Sequence, residues 1–245
     1  MKSFFVLMKR NIQSILRDPL SLVFCLIFPL FMLILLESLL GNIDEAGTAI
    51  FKITSYAPGI AIFGQTFLML FAGSLVAFDF SSSFTSRILV APVKPPHFFW
   101  SYFFAIWPFG VLQTLLFYLV ALCFGLPFQG AFFLSLGCSI LTSAFYVMLG
   151  ILFGTLCRQE KQVGPLCSIV ISGAGLLGGV WLPIELFGGV FEDICRALPF
   201  FPTVSMLRFP FEEVDHLMWI FIAFFIYFIV ATTLAIFFFK RRIKN

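Results

Sequence analysis

Residues 20–40 read LSLVFCLIFPLFMLILLESLL, and this run decides the fold. It holds one charged residue, Glu37, and is long enough to carry a helix across a hydrocarbon core, which takes about 20 mostly apolar residues. Five runs of the same kind follow: Ala57–Phe78, Phe98–Phe124, Ala131–Leu156, Val163–Leu182 and Leu217–Phe239. None of the five contains Asp, Glu, Lys or Arg. Glu37 lies about 4.5 Å from the end of its run along a helix axis, so it reads as an interfacial carboxylate in preference to a proton relay. The runs are twice the length a membrane strand needs and do not alternate, which excludes a barrel. The expected fold is an all-α membrane protein with six transmembrane helices.

Composition agrees. Of 245 residues, 61% are hydrophobic, 11% are charged and 37 are Phe, with a mean hydropathy of +1.07. A soluble domain is about half apolar and about a quarter charged. A single core of this size cannot hide so much apolar surface from water, so an ordinary soluble enzyme, a disordered chain and a nucleic-acid-binding domain are excluded. The net charge of +3 decides little, but its distribution sets orientation. An even number of spans puts both termini on one side. Lys2, Lys9, Arg10, Arg17, Arg87, Lys94, Arg158, Lys161, Lys240, Arg241, Arg242 and Lys244 fall on that side, against Lys52, Arg196 and Arg208 on the other. Asp44, Glu45, Glu185, Glu192, Asp193, Glu212, Glu213 and Asp215 lean the opposite way. By the positive-inside rule both termini are cytoplasmic. No cleaved signal peptide is evident, because the first run is too long and no small-residue cleavage site follows it. Cys25, Cys123, Cys138, Cys157 and Cys167 lie in or beside spans and only Cys195 lies in an outer loop, so no disulfide framework is implied. No Cys-x-x-Cys pair occurs and the two histidines are far apart, so metal ligation is not expected.

Four segments are more than simple spans. Residues 3–17 read as an amphipathic helix, with Phe4, Phe5, Met8, Ile12, Ile15 and Leu16 on one face. Lys2, Lys9, Arg10, Gln13, Ser14 and Arg17 fall on the other, and Val6 and Leu7 are exceptions. Such a helix lies flat on an anionic inner leaflet, as an anchor or as a mechanical lever. Asp18-Pro19 then breaks it and turns the chain into the bilayer. Residues 79–97, DFSSSFTSRILVAPVKPPH, form the main inner loop. Ser81–Ser83 can cap a short helix in which Phe84, Ile88 and Leu89 share a face, with Ser86 and Arg87 near its edge, until Pro92 stops it. A compact helix protruding there is a docking knob for a cytoplasmic partner. In the fifth run Ser168, Ser172, Gly175 and Gly179 make one small-residue stripe, and the fourth carries Gly150 and Gly154. Such residues let helices approach closely, within the chain or across a dimer. The outer segment of residues 183–210 is apolar yet crowded with Pro and Gly, with Trp181 and Arg208 suited to the membrane boundary. It is expected to form a re-entrant or interfacial pair of short helices.

The absences narrow the chemistry. No G-x-x-x-x-G-K-[ST] phosphate loop occurs, so the chain is not expected to hydrolyse ATP or to be an enzyme. Gly137-Cys138-Ser139 supplies a G-x-S for an intramembrane hydrolase, but His97 and His216 lie near the membrane edges, away from where its base would be needed. Repeated intramembrane carboxylates and inverted halves with broken helices, as in ion-coupled carriers, are missing.

Three stretches occur in a telling order: Met8-Lys-Arg-Asn-Ile-Gln-Ser-Ile-Leu-Arg-Asp-Pro19; Ser86-Arg-Ile-Leu-Val-Ala-Pro92-Val-Lys94; and Gly179-Val-Trp-Leu-Pro183-Ile with Pro199-Phe-Phe-Pro202-Thr-Val-Ser-Met-Leu-Arg208. Across essentially the whole chain they resemble the permease subunit of type-2 ATP-binding-cassette (ABC) exporters, a group that includes drug, antibiotic-peptide and polysaccharide exporters. The first is similar to that family's N-terminal connecting helix, the second to its inner coupling helix and the third to its signature around the fifth span. One departure concerns the acidic residue and Gly-Thr that often precede the coupling helix. Here the stretch is Phe80-Ser-Ser-Ser-Phe84-Thr85-Ser86, which implies docking through hydroxyls and Phe84.

The resemblance implies a connecting helix at 1–19, a six-span domain at 20–245 and a coupling helix at about 80–96. Ser83, Phe84, Thr85, Arg87, Ile88, Pro92 and Lys94 would dock the ATPase, and Lys9, Arg10 and Arg17 would form the lever at the membrane surface. It further implies two ABC ATPase subunits that bind ATP and Mg, no cofactor in this chain, and a second permease, identical or related. It places the chain in a bacterial cytoplasmic membrane, exporting a hydrophobic or amphiphilic drug, antibiotic, peptide or lipid-like substrate. Two alternatives stand beside it: a membrane-embedded hydrolase or peptidase using Ser139, and a non-transporting immunity protein that binds a toxin or lipid.

Overall fold

Every regular element among the described residues is helical. The computed structural model describes residues 2–40, 52–82, 84, 95–181, 184, 188–212 and 216–244. In chain order the helices are α1 (Lys2–Leu16), α2 (Pro19–Leu22), α3 (Phe28–Leu40), α4 (Ile53–Ser81), α5 (Pro95–Cys123), α6 (Gly130–Leu156), α7 (Val163–Leu177), α8 (Gly189–Ala197), α9 (Phe200–Arg208) and α10 (Leu217–Lys244). Asp18 ends one helix and starts the next. Its Oδ1 accepts the Ser21 N–H at 3.2 Å and its Oδ2 accepts the Ser21 hydroxyl at 2.5 Å. Pro19 stands at the first helical position, where a missing N–H costs nothing. A π-helical turn, Val23–Ile27, joins α2 to α3.

Five helical stretches are long and apolar enough to cross a membrane: Pro19–Leu39, Ile53–Ser81, Pro95–Cys123, Gly130–Leu156 and Leu217–Ile243. The fifth expected run, Val163–Leu182, is helical only to Leu177. Gly178 caps α7 and Gly179 turns the chain with φ 75°. Fifteen residues rise about 22 Å, short of the hydrocarbon thickness. The second run is longer than expected, and α4 carries on through Asp79 to Ser81.

Burial ranks the helices. α4 is enclosed along nearly its whole length, whereas Pro19–Leu39 and α10 leave most of their surface exposed. Exposed Phe31, Leu119, Ile229 and Phe237 are side chains for lipid to cover. α4 makes its largest interface with α6, and glycines set it. A Cβ on Gly150 would overlap the Met69 carbonyl oxygen, and one on Gly154 would overlap that of Gly73. The two backbones therefore touch, and dispersion and weak polar contacts replace the hydrophobic effect that lipid does not provide.

Beside this crossing lies a buried hydroxyl layer. Gln65 Nε2 on α4 donates to Ser139 O at 2.8 Å and Ser139 Oγ at 3.0 Å on α6. Thr114 Oγ1 on α5 is 3.4 Å from Ser139 Oγ. Tyr118 Oη is 2.5 Å from Ser135 Oγ, which donates to Leu207 O of α9 at 2.7 Å. Ser139 is thus a fully buried packing hydroxyl whose described partners are an amide and a hydroxyl. At the end of the bundle away from the termini, Arg208 ties three elements together. Its Nε donates to Ser55 O at 2.8 Å and its Nη2 to Gly179 O at 2.7 Å.

Candidate functional site

The middle of α1, the end of α4, the start of α5 and the end of α10 meet at the terminal end of the bundle, and a small set of side chains joins them. α1 packs along α5 through Leu7, Asn11 and Ile15, an i, i+4, i+8 stripe that is buried. This corrects the expected face. Leu7, set aside as an exception, is inside, while Phe5 and Leu16 are 58% and 59% exposed. The helix carries apolar residues on two sides, one for the protein and one facing outward.

Asp79 is the centre of the junction. Its side chain has 0% exposure. Arg10 grips it with both guanidinium nitrogens: Nη2 reaches Oδ1 at 2.7 Å and Nη1 donates to Oδ2. Tyr102 of α5 donates its hydroxyl to Oδ2 at 2.7 Å. A planar fork on a carboxylate fixes orientation as well as distance. Burial alone would lower the pKa of Arg10, but the hydrogen bond and charge of Asp79 outweigh it and leave the guanidinium above its ordinary value. Asn11 adds a neighbouring link, with Nδ2 donating to Ser101 Oγ at 3.3 Å. Helical spacing puts Arg10 on the polar face of the interfacial helix; the structure turns it inward onto a carboxylate.

An aromatic box completes the site. The Arg10 guanidinium lies 3.7 Å from the centroid of Phe84. Phe84 and Phe80 each pack 6.2 Å from Phe98, and Phe239 of α10 lies 5.2 Å from Phe80 and 5.3 Å from Phe98. On the far side Arg242 stands 4.5 Å over Phe80. Its Nη1 donates to the carbonyls of Gly154, Thr155 and Cys157, closing the C-terminus of α6. Two arginines therefore bracket four rings: Phe80 and Phe98 from the facing ends of α4 and α5, Phe84 from between them, and Phe239 from the last helix.

The remaining expected residues divide. Ser83, Thr85, Arg87, Ile88, Pro92 and Lys94 lie outside the described residues. Phe84 is partly buried beneath Arg10, so its described contacts are internal to the chain. Lys9 is exposed, and Arg17 lines a cleft of about 310 Å³ with Ser14, Asp18, Phe71 and Glu160. Ser168 and Ser172 are exposed, whereas Gly175 lies against the Trp181 indole and Gly179 is buried, so the four do not share one contact. Asp79 and Tyr102 escaped the sequence reading. The available signal was an acid one residue past an apolar run, on a side of the membrane otherwise rich in bases.

Comparison with known proteins gives the arrangement its context. A sequence model of the family described as ABC-2 type transporter matches residues 2–212. The chain is also 28% identical over 180 residues to a protein of Bacillus subtilis (strain 168) described as uncharacterized membrane protein YdbK. That match covers 73% of this chain and 60% of the relative, so the chain aligns with about three fifths of the relative's length. The long apolar helices and the family match, which takes in the first helix, the Arg10–Asp79–Tyr102 contact and the bundle up to residue 212, lead to one conclusion: this multi-pass membrane protein belongs to the ABC-2 type transporter family.

Proposed function

We propose that the chain is the permease subunit of an ATP-driven exporter. It lies in the cytoplasmic membrane with both termini in the cytoplasm. Two separately encoded ATPase subunits supply ATP and Mg, and a second permease, identical or related, completes the conduit. The substrate is hydrophobic or amphiphilic, which suits a bundle whose described interior is aromatic, hydroxylic and nearly uncharged.

The observation that carries this reading is the Arg10–Asp79–Tyr102 clamp. The segment between α4 and α5 is the expected ATPase contact, and the clamp binds both of its flanks to the N-terminal helix. A push on that segment would reach α1, α4 and α5 together, with α10 following through the aromatic box. A permease driven by separate ATPase subunits needs such a mechanical input.

The test is co-expression with a candidate ATPase, followed by co-purification and transport in proteoliposomes. The reading expects a stable complex and substrate-stimulated ATP turnover. Export by this chain alone, without any ATPase, overturns it. Replacing the clamp through Arg10→Gln with Asp79→Asn is expected to lower transport more than ATP turnover, because the motor remains while its linkage loosens. Equal transport by this double variant and the parent would remove the clamp from the mechanism.

A further inference from the structure

A second feature at the terminal end has no part in the clamp. Thr155, Leu156, Arg158, Phe238, Arg241 and Arg242 line an open cleft of about 510 Å³ between the end of α6 and the end of α10. Three of its six lining residues are arginines and none is acidic. Glu160, the nearest acid in sequence, lines the separate cleft shared with Arg17 and Asp18.

The cleft is built. Gln162 Oε1 accepts the backbone N–H of Arg158 at 2.9 Å and of Gln159 at 3.2 Å, which fixes the turn carrying Arg158. Arg242 is anchored through Nη1 on the α6 carbonyls and over Phe80. Those bonds engage one edge of its planar group. Guanidinium forks match phosphate oxygens in geometry and charge. Below the arginines the wall turns apolar. Val230, Leu234, Phe238 and Arg241 follow one another at steps of four, four and three, so they share a face of α10. Val230 and Leu234 are exposed, and so is Leu156 at the end of α6. The face therefore runs from hydrocarbon-facing side chains to a basic mouth.

We infer that this cleft binds the phosphate headgroup of an anionic phospholipid of the adjoining leaflet, with its acyl chains along Phe238 and Leu234. Charge complementarity selects an anionic ligand, and the apolar wall at membrane depth selects a lipid over a free ion or an acidic protein surface. A basic pocket between helices on the cytoplasmic side is where such headgroups are held.

Native mass spectrometry of the purified full chain in mixed micelles tests this, with dioleoylphosphatidylglycerol compared with dioleoylphosphatidylcholine. The parent is expected to retain the anionic lipid preferentially. Arg158→Gln with Arg241→Gln, both exposed positions, should lower that retention roughly tenfold. Lys161→Gln with Lys240→Gln removes equal charge from the same end, at exposed positions that do not line the cleft, and should leave it unchanged. Equal retention of both lipids by the parent, or equal loss in both double variants, overturns the proposal. Displacement of the lipid by excess inorganic phosphate reassigns the cleft to a free anion. Unchanged lipid retention with weakened ATPase recovery in the arginine variant reassigns it to protein docking. A measurement that needs no variant is photo-crosslinking of the parent with a diazirine-bearing phosphatidylglycerol. Adducts should concentrate on the peptides holding Leu156 and Phe238, and an even spread over α10 and α3 would refute the site. These outcomes stand apart from whether the chain transports anything.

Discussion

A carboxylate with no solvent exposure survives as an ion only if its neighbours replace water. Arg10 and Tyr102 are among the neighbours that do so for Asp79, and the two members of the ion pair are not equivalent. Arg10 is about a third exposed, while Asp79 is fully enclosed. Removing each partner should therefore have unequal effects. Arg10→Gln strands a buried charge and is expected to cost about 3 kcal/mol, the low end for breaking a buried pair because solvent screens part of it. Asp79→Asn leaves an arginine that can turn toward water, at about 1 kcal/mol. The double variant should cost less than the two single changes together. Thermal unfolding in detergent reads all three, and additive losses would mean that the two side chains do not interact. Tyr102→Phe removes one hydrogen bond to a charged group, worth about 2 kcal/mol, and should lower the melting temperature with no change in ATPase recovery. The sequence could supply the residue types here but not the pairing. Arg10 and Asp79 are 69 positions apart, and a basic residue on an amphipathic helix reads as solvated until the helix beside it is known.

At the scale of elements, length was legible and rotation was not. Five of the six apolar runs become long helices because about 20 apolar residues have few other stable states in lipid. The sixth, α7, stops at Leu177 because two glycines follow it, a feature that hydropathy counts as merely mild. The buried face of α1 does not follow from its spacing, because Leu7 and Val6 interrupt a simple two-sided pattern. Only the contact with α5 decides which apolar residues turn inward. Glycine positions allow a sharper test. Gly150 and Gly154 have backbone where a Cβ would go, whereas Gly137 and Gly164 have nothing within 4 Å. Gly150→Leu or Gly154→Leu should reduce stability by at least about 1–3 kcal/mol, the usual cost of overpacking. Gly137→Leu and Gly164→Leu should be tolerated. Size-exclusion profiles and melting temperatures of the four variants are the measurement, and similar values across all four would dissolve the proposed crossing.

For the whole molecule, the charge asymmetry of the loops makes a topological prediction. In a cysteine-free background, Lys9→Cys and Lys240→Cys should stay unlabelled by a membrane-impermeant maleimide added to intact cells. Val190→Cys, 76% exposed on α8, should be labelled. Labelling of the first two would invert the orientation. Overall architecture was the part most open to sequence reading, since apolar lengths and Lys/Arg counts are one-dimensional properties. The junction was closed to it, because it is made where four chain segments converge. How such a molecule can move follows from the α4–α6 contact. Two rods that meet backbone to backbone at Gly73, Gly150 and Gly154, with only the short side chains of Ala72 and Val76 beside the contact, have little there to shear. Such a contact favours a swing about the crossing, like scissor blades, over a slide of one rod along the other. A push at the handles, where Asp79 sits, would then open or shut the blades at the opposite mouth.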